Sequence, residues 1–435
     1  MKRFLSIILS LIFLLTIAQD SHAQFWKRKS KRNTTTTNQQ QNQPADENDS
    51  SDNTESIGFL KKKRVLPDFP VSEKKEVYRV DLLLPLNLNK TVINGKPISQ
   101  KNMPEATVQS VNFYEGVLIA GDSMASRNFK LDLHVHDISD PVNSVYFLLR
   151  QKKLEGTDLI IGLLQSNDIS LVAGYAKSQK VNFLSALSPS DAGLKNNPYF
   201  IMIQPTLGTH VQKILDFVDR KHKRNPKFLL YRDSSYADDA ANMVKAEFQK
   251  SKKFMELKYN NDEDFQTIQN EFSKDDVNVI YCTILDTRIA YSLLKKLSEM
   301  GPAYKFEVFG MPSWKVLPHL DVQQAYPNLS IYYTTPFYYD RNTGPGVDFL
   351  KKYKRYDGSS TGEFAFRGYE LMFWMCHLLE QYGAVFNQHF DDISNTLFTR
   401  YDIRPEWDAQ NELLYFENKK LHILQFENGN MRILD

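Results

Sequence analysis

From residue 77 to residue 309 the sequence alternates short apolar segments with longer amphipathic ones, and this alternation limits the possible folds more than any other feature. Residues 157–163 are almost continuously apolar, which is typical of a strand in a sheet with helices on both faces. Residues 108–120 carry apolar side chains at helical spacing. Because the pattern runs through twice, the sequence predicts an α/β protein with two lobes, each a parallel sheet sandwiched by helices.

The C-terminal part follows a different pattern. Residues 413–416 and 421–426 are apolar segments on either side of the polar stretch 417–420, and Asn428-Gly429-Asn430 predicts one more turn. Short strands joined by tight turns indicate antiparallel hairpins. The sequence therefore predicts that 413–416 pairs with 421–426 and that the fold ends in a C-terminal β-hairpin.

The first residues have the three-part pattern of a secretory signal peptide. Lys2-Arg3 precedes the apolar run 4–18, and the small residues Ser21 and Ala23 stand at the −3 and −1 positions of a cleavage site. The run is short for a membrane span, and no cysteine follows it as a lipid-anchor acceptor. We therefore expect cleavage after residue 23 and a periplasmic or secreted protein with no transmembrane span afterwards. An uncleaved anchor is the alternative.

Residues 24–75 are predicted to be a disordered, low-complexity linker. Between Trp26 and Ile57 this segment contains no large apolar residue, so it buries too little surface to offset its chain entropy. Its basic stretch 27–32 is expected to be solvated, with contact to anionic envelope polymers as the alternative.

Charge and motif content exclude several function classes. The chain has 54 Lys and Arg against 52 Asp and Glu, whereas a nucleic-acid binder needs a basic face. Two cysteines, Cys282 and Cys376, exclude a four-cysteine zinc site, and we expect both to be buried and unpaired. The sequence has neither a phosphate-binding loop nor a nucleophile elbow around Ser188, so no catalytic residue is predicted and the chain is not expected to be an enzyme.

A metal site is the remaining chemical alternative. His134 and His136 stand two residues apart on a predicted strand, so their imidazoles share one face. No further ligands follow at suitable spacing, and a metal site needs three or four. We therefore predict no metal and no other cofactor.

The order of several motifs resembles the type I periplasmic solute-binding proteins of the leucine/isoleucine/valine-binding kind. The motifs are Leu84-Pro85-Leu86 after the first strand, Phe113-Tyr114-Glu115-Gly116 in the first helix, Tyr231-Arg232-Asp233-Ser234-Ser235-Tyr236-Ala237 and Arg367-Gly368-Tyr369-Glu370. The resemblance covers about residues 77–434. It implies two lobes that close around a ligand by hinge motion, lobe 1 from 76–204 plus 336–405 and lobe 2 from 205–335 plus 406–435.

The resemblance also implies a set of ligand-binding positions in the loops that follow the strands. These are Gln165, Ser166, Asn167, Leu187, Ser188 and Ser190 in lobe 1, and Tyr236, Asp286 and Ser313 in lobe 2. In amino-acid-binding members an acidic residue for the ammonium group is expected in the loop that reads Gly310-Met311-Pro312-Ser313-Trp314, and this loop has none. Asp286 is the candidate substitute, and binding of a free α-amino acid is in doubt.

Two functions fit this reading. The first is an extracytoplasmic solute-binding protein that captures a small polar ligand, such as an amino-acid-like molecule, a peptide or a wall fragment, with an ABC permease as its partner. The second is a cell-envelope interaction or regulatory module with a degenerate cleft, whose partner is a protein of peptidoglycan synthesis or of the wall. Solute binding is the first hypothesis; the missing acidic residue, the absence of a lipid-anchor cysteine and the long low-complexity linker count in favour of the second.

Overall fold

The computed structural model describes residues 63–232, 238–249, 251, 253–342, 344–356 and 362–434. The predicted signal peptide and the linker up to residue 62 lie outside the described residues. The strands are β1 (Val77–Leu84), β2 (Val92–Ile93), β3 (Lys96–Pro97), β4 (Lys130–Asp137), β5 (Leu159–Gly162), β6 (Asn182–Ser185), β7 (Phe200–Met202), β8 (Lys227–Tyr231), β9 (Phe254–Lys258), β10 (Val277–Cys282), β11 (Lys305–Phe309), β12 (Leu329–Thr335), β13 (Ile403–Trp407), β14 (Leu413–Asn418), β15 (His422–Glu427) and β16 (Asn430–Leu434).

The α-helices are α1 (Leu88–Thr91), α2 (Glu105–Ala125), α3 (Val145–Arg150), α4 (Ser166–Gln179), α5 (Leu207–Lys221), α6 (Asp238–Phe248), α7 (Phe265–Ile268), α8 (Thr287–Glu299), α9 (Gly344–Tyr356) and α10 (Glu363–Tyr382). Short 3₁₀ helices span Gln100–Asn102, Pro141–Asn143, Gln269–Glu271 and Pro312–Val316. None of the described helices combines the length and the apolar character that a membrane span requires.

The first lobe is built on a seven-stranded sheet with the order β13-β14-β7-β6-β5-β1-β4. All neighbours are parallel except β13, which runs antiparallel to β14. Strands β5 and β6 are buried along their whole length, and a separate apolar core lies on each face of the sheet. Burial on both faces explains why the segment around β5 is continuously apolar.

The second lobe is built on a seven-stranded sheet with the order β16-β15-β12-β11-β10-β8-β9. Strands β8 to β12 pair in parallel, and β15 runs antiparallel to both β12 and β16. The two sheets confirm the predicted α/β fold of two lobes, and β15 with β16 forms the predicted C-terminal hairpin. The chain crosses between the lobes three times, after β7, after β12 and after β14.

The predicted pairing of 413–416 with 421–426 is wrong. These segments are β14 and β15, which lie in different sheets, so the turn between them is the third crossing. Asn418 directs the chain out of the first sheet: its side-chain N–H donates to Ile203 O at 3.1 Å, and its Oδ1 accepts from the backbone N–H groups of Asp402 and Lys420, each at 3.1 Å. Residues 406–418 therefore belong to the first lobe and not, as predicted, to the second.

Two glycines bring helices α2 and α10 into close contact. A Cβ atom on Gly116 would lie 2.0 Å from the carbonyl oxygen of Ala365, and one on Gly368 would lie 2.1 Å from that of Phe113. Two of the motifs that carry the family resemblance thus form one helix–helix contact.

The segment 63–76, which we call the strap, packs on the first lobe ahead of β1. Leu66 and Phe69 contact the first-lobe core, and the Phe69 ring meets the Tyr199 ring edge-on with centroids 5.9 Å apart. The prediction that residues 63–75 are disordered is therefore wrong. Pro67 and Pro70 reduce the chain entropy lost on ordering, and apolar residues three apart suit an extended, polyproline-like chain.

Candidate functional site

In open α/β sheets, ligands bind beyond the carboxyl ends of the strands. The candidate site is therefore formed by the loops after β5 and β6 in the first lobe and after β10 and β11 in the second. We call the space next to these four loops the cleft.

The first-lobe loops bring a group of predicted residues together. Ser166 Oγ donates to Ser190 Oγ at 3.1 Å, and the Ser190 N–H donates to Ser188 Oγ at 3.2 Å. Gln165 and Asn167 flank Ser166 and are exposed, and Leu187 beside Ser188 is half-buried. The oxygens of Ser188 and Ser190 accept these bonds, so their hydroxyl protons can be donated outward.

Helix α4 starts in this serine cluster. No side chain caps its first turn, so the free backbone N–H groups there add hydrogen-bond donors. Asp168 lies in the same turn, and burial raises its pKa. The serine hydroxyls and the helix start form a donor-rich wall with one carboxyl group beside it.

Asp286 in the second lobe caps a helix. Its carboxylate caps α8 by accepting the backbone N–H groups of Arg288 at 2.9 Å and Ile289 at 3.4 Å. Burial acts to raise its pKa, but hydrogen bonds from the Arg288 side chain and from the two backbone N–H groups lower it overall. Both of its oxygens are thus engaged, Oδ1 by the two backbone N–H groups and Oδ2 by the Arg288 side chain at 3.4 Å.

Ser313 joins the loops after β10 and β11, because its hydroxyl donates to Leu285 O at 2.9 Å. The neighbouring Trp314 is buried in the second-lobe core, where its indole N–H donates to Ile284 O at 3.0 Å. A Cβ atom on Gly310 would lie 2.1 Å from this ring, so the loop folds inward and Trp314 is not a cleft aromatic. Predicted site residue Tyr236 lies outside the described residues.

A chain of charged groups that the sequence reasoning missed links the two lobes. Lys315 Nζ, after β11, lies 3.9 Å from Glu363 Oε2 at the start of α10. Glu363 also pairs with Arg367 one turn further along α10, and an Arg367 N–H donates to Gln204 Oε1 at 3.5 Å. Burial and the Glu363 charge raise the pKa of Tyr333, in β12 of the second sheet, to about 12.

Arg367 is held between aromatic rings. Its guanidinium carbon lies 5.0 Å from the centroid of Phe337 and 5.3 Å from that of Phe364. Its Nε is buried and finds no hydrogen-bond partner within the described part of the chain. The available sequence signal was that Arg367 and Glu370 are the two charged residues in the otherwise apolar stretch 364–376.

One small cavity is lined by Arg367, and two larger cavities lie elsewhere in the described part of the chain. A cavity of about 20 Å³, large enough for a water molecule, is lined by residues that include Arg367, Gln204 and Ala186. Two larger cavities, of about 430 Å³ and 680 Å³, lie at the third crossing and between α2, α9 and α10. Neither of the larger cavities is lined by a predicted site residue.

The histidine pair does not converge on one point. His134 Nε2 lies 2.9 Å from Asp132, whereas His136 Nε2 lies 2.6 Å from Asp81. Within the described ranges no group of three or more His, Cys, Asp or Glu side chains is arranged to hold a metal ion. Cys282 and Cys376 are buried and unpaired, as predicted, and burial raises the pKa of the Cys282 thiol to about 12.

Solved structures share this fold at low sequence identity. A putative branched-chain amino acid ABC transporter protein from Rhodospirillum rubrum matches with 14% identity and a TM-score of 0.59, over 82% of this chain and 100% of that one. An ABC transporter substrate-binding protein from Desulfitobacterium hafniense, solved in complex with Leu, matches with 14% identity and a TM-score of 0.52 over the same shares. Haemophilus influenzae LpoA matches with 13% identity and a TM-score of 0.53, over 83% of this chain and 59% of LpoA.

Sequence comparison gives the family. A search of curated proteins finds no match, but the profile described as "Periplasmic binding protein" matches residues 148–392, which is more than half of the chain. Two parallel-sheet lobes joined by three crossings agree with this match. The chain therefore belongs to the periplasmic binding protein family.

Proposed function

We propose that this protein is an extracytoplasmic solute-binding protein that captures a small polar ligand in the cleft without covalent chemistry. An amino-acid-like molecule, a peptide or a wall fragment fits this description, and an ABC permease is the implied partner. The supporting observation is the cluster of Ser166, Ser188 and Ser190 at the uncapped start of α4. Hydroxyl and backbone N–H donors arranged in this way suit a carboxylate or another acceptor-rich group.

A thermal-shift screen of the purified protein tests this proposal. The panel contains amino acids, short peptides, muropeptides, sugars and nucleobases. A ligand that binds only the folded state raises the unfolding midpoint, by about 3 °C or more near saturation. No shift with any class at millimolar concentration contradicts the proposal.

Two serine variants locate the binding site. Ser188→Ala is expected to abolish the ligand-induced shift, because it removes a hydroxyl from the cluster. Ser178→Ala is the matched control, since Ser178 is exposed near the far end of α4 and its hydroxyl donates to Tyr175 O. A ligand that binds both variants equally well does not occupy the serine cluster.

The second candidate is the envelope interaction module. It is favoured by the loop after β11, which lacks the acidic residue expected in amino-acid-binding members, and by Asp286, the candidate substitute, serving as a helix cap. Under this proposal the protein contacts a peptidoglycan-synthesis or wall-associated protein. Capture of one such defined protein by the wild type and equally by Ser188→Ala, together with a negative ligand screen, would support it.

A further inference from the structure

The second-lobe loops of the cleft offer no unengaged carboxylate to a ligand's ammonium within the described residues. The loop after β11 carries Lys315 instead of an acidic residue, and Asp286 uses one carboxylate oxygen to cap α8. A buried ammonium without a carboxylate partner is costly. The second-lobe loops are therefore poorly suited to a free amino acid.

Glu363 does not fill that role. Its one negative charge is shared between Lys315 at 3.9 Å and Arg367, so the three side chains together carry a net charge of +1. The Arg367 side chain is 13% exposed, and its buried Nε has no partner among the described residues. Lys315 is 48% exposed, which leaves its ammonium free to turn toward a ligand. This group has spare donors and spare positive charge.

The first-lobe loops also offer donors. Ser188 and Ser190 have hydroxyl protons to donate, and the first turn of α4 has free N–H groups. Asp168 in that turn opposes an anion, so the helix start alone would not define a site. The excess positive charge comes from Lys315 and Arg367.

We infer that the ligand is a small anion, a carboxylate without an ammonium group, and that Lys315 and Arg367 determine this specificity. The inference rests on the proposed solute-binding function and names its ligand class. When the ligand binds, the Lys315 ammonium turns partly away from Glu363 and pairs with the ligand carboxylate. Because Lys315 and Arg367 belong to different lobes, an anion between them also joins the two lobes.

Sets of ligands that share one carbon skeleton test the inference. One set is leucine, N-acetylleucine, 4-methylpentanoate and 3-methylbutylamine, and the phenylalanine and alanine series supply parallel sets. Isothermal titration of the wild-type protein is expected to show binding of the ammonium-free carboxylates, at least about tenfold weaker binding of the amino acid, and none of the amine. Equal or tighter binding of the amino acid or the amine overturns the inference.

Variants of Lys315 assign the contact. Lys315→Met is expected to weaken carboxylate binding at least about tenfold, because a charge-assisted hydrogen bond is lost, and Lys315→Arg to restore most of it. Lys351→Met is the matched control, since Lys351 is exposed on α9 and pairs with Asp348. Unchanged carboxylate binding in Lys315→Met removes Lys315 from the site and overturns the assignment.

These titrations distinguish failure of the anion inference from failure of the solute-binding proposal. If a sugar or nucleobase binds and none of the carboxylates does, the solute-binding proposal stands and the anion inference fails. If no small molecule binds the wild-type protein, both fail. A circular dichroism spectrum and an unfolding midpoint of each variant equal to those of the wild type exclude misfolding as the cause of lost binding.

Discussion

Glu417 in the first lobe accepts two hydrogen bonds from Thr206 at the first interlobe crossing, one from its backbone N–H at 2.7 Å and one from its hydroxyl at 3.0 Å. Thr209 donates to the same carboxylate oxygen at 2.7 Å, and Lys419 pairs with the other oxygen at 2.8 Å. Glu417 is almost completely buried. Because it precedes the third crossing, this network ties two of the three interlobe connections together.

Replacing Glu417 is expected to destabilise the protein strongly. Glu417→Ala leaves the Thr206 and Thr209 donors without their acceptor, whereas Lys419 keeps its ion pair with Glu406. Each buried donor left without a partner costs about 1–3 kcal/mol of unfolding free energy. Glu417→Gln keeps an acceptor and should cost less. Urea denaturation measures both values, with the exposed Glu299→Ala as a control within about 0.5 kcal/mol of wild type. A similar result for Glu417→Ala and Glu299→Ala would show that the network contributes no stability.

The contact between α2 and α10 predicts a second sensitive position. Gly116→Ala places a methyl group 2.0 Å from Ala365 O, a backbone atom that cannot rotate away. The helices must separate, and overpacking of this kind costs about 3 kcal/mol. Gly174→Ala in α4 is the control, because nothing lies within 4 Å of the added Cβ and replacing glycine in a helix stabilises by about 0.5–1 kcal/mol. Equal denaturation midpoints for the two variants would contradict the close helix contact.

The parallel sheets could be predicted because burial on both faces leaves a local signature. The segment around β5 is apolar without alternation, and such runs separated by amphipathic helices identify strands of a parallel sheet. The false hairpin shows the limit of this reasoning. Strands β14 and β15 have suitable residues and a short connection, but β14 pairs with β13 and with β7, which is far away in the sequence, and the Asn418 side chain adds a hydrogen bond to Ile203 O next to β7.

In the candidate site, too, some contacts could be predicted from the sequence and others could not. The proximity of Ser166, Ser188 and Ser190 could be predicted because they follow strands of one sheet, and the carboxyl ends of parallel strands meet at one edge. The Lys315–Glu363 pair could not, because it joins two lobes whose relative placement depends on all three crossings. Likewise the sequence predicts Asp286 as a ligand contact but does not show that its carboxylate caps α8.

Glu370 is expected to make stability fall as the pH rises. Burial raises the pKa of Glu370 to about 7. The backbone N–H groups of Phe398, Thr399 and Leu397 donate to its carboxyl group at 2.5, 2.6 and 2.9 Å, and these hydrogen bonds oppose the rise in pKa. The unfolded chain releases this proton near the ordinary value of 4.5. The contribution of protonated Glu370 to the unfolding free energy is therefore fully present below pH 4.5. It falls by about 3 kcal/mol as the pH rises to about 7.

Glu370→Gln isolates this contribution from the other titrating groups. Glutamine still accepts the backbone N–H groups but does not ionise in this range. The difference in unfolding free energy between wild type and variant, measured by urea denaturation from pH 4 to pH 8, should change by about 3 kcal/mol in favour of the variant. Parallel curves for the two proteins would mean that Glu370 has an ordinary pKa.

The strap is expected to stabilise the first lobe. Phe69 packs edge-on against Tyr199, and Lys75 Nζ pairs with Asp158 Oδ1 at 2.6 Å. Phe69→Ala removes a half-buried ring and should lower the unfolding free energy by about 1–2 kcal/mol, below the cost at a fully buried site. Val71→Ala is the control, because Val71 is 95% exposed in the same segment. Thermal and urea unfolding of the two variants compare them directly, and equal stability would show that residues 63–76 rest on the lobe without contributing to its fold.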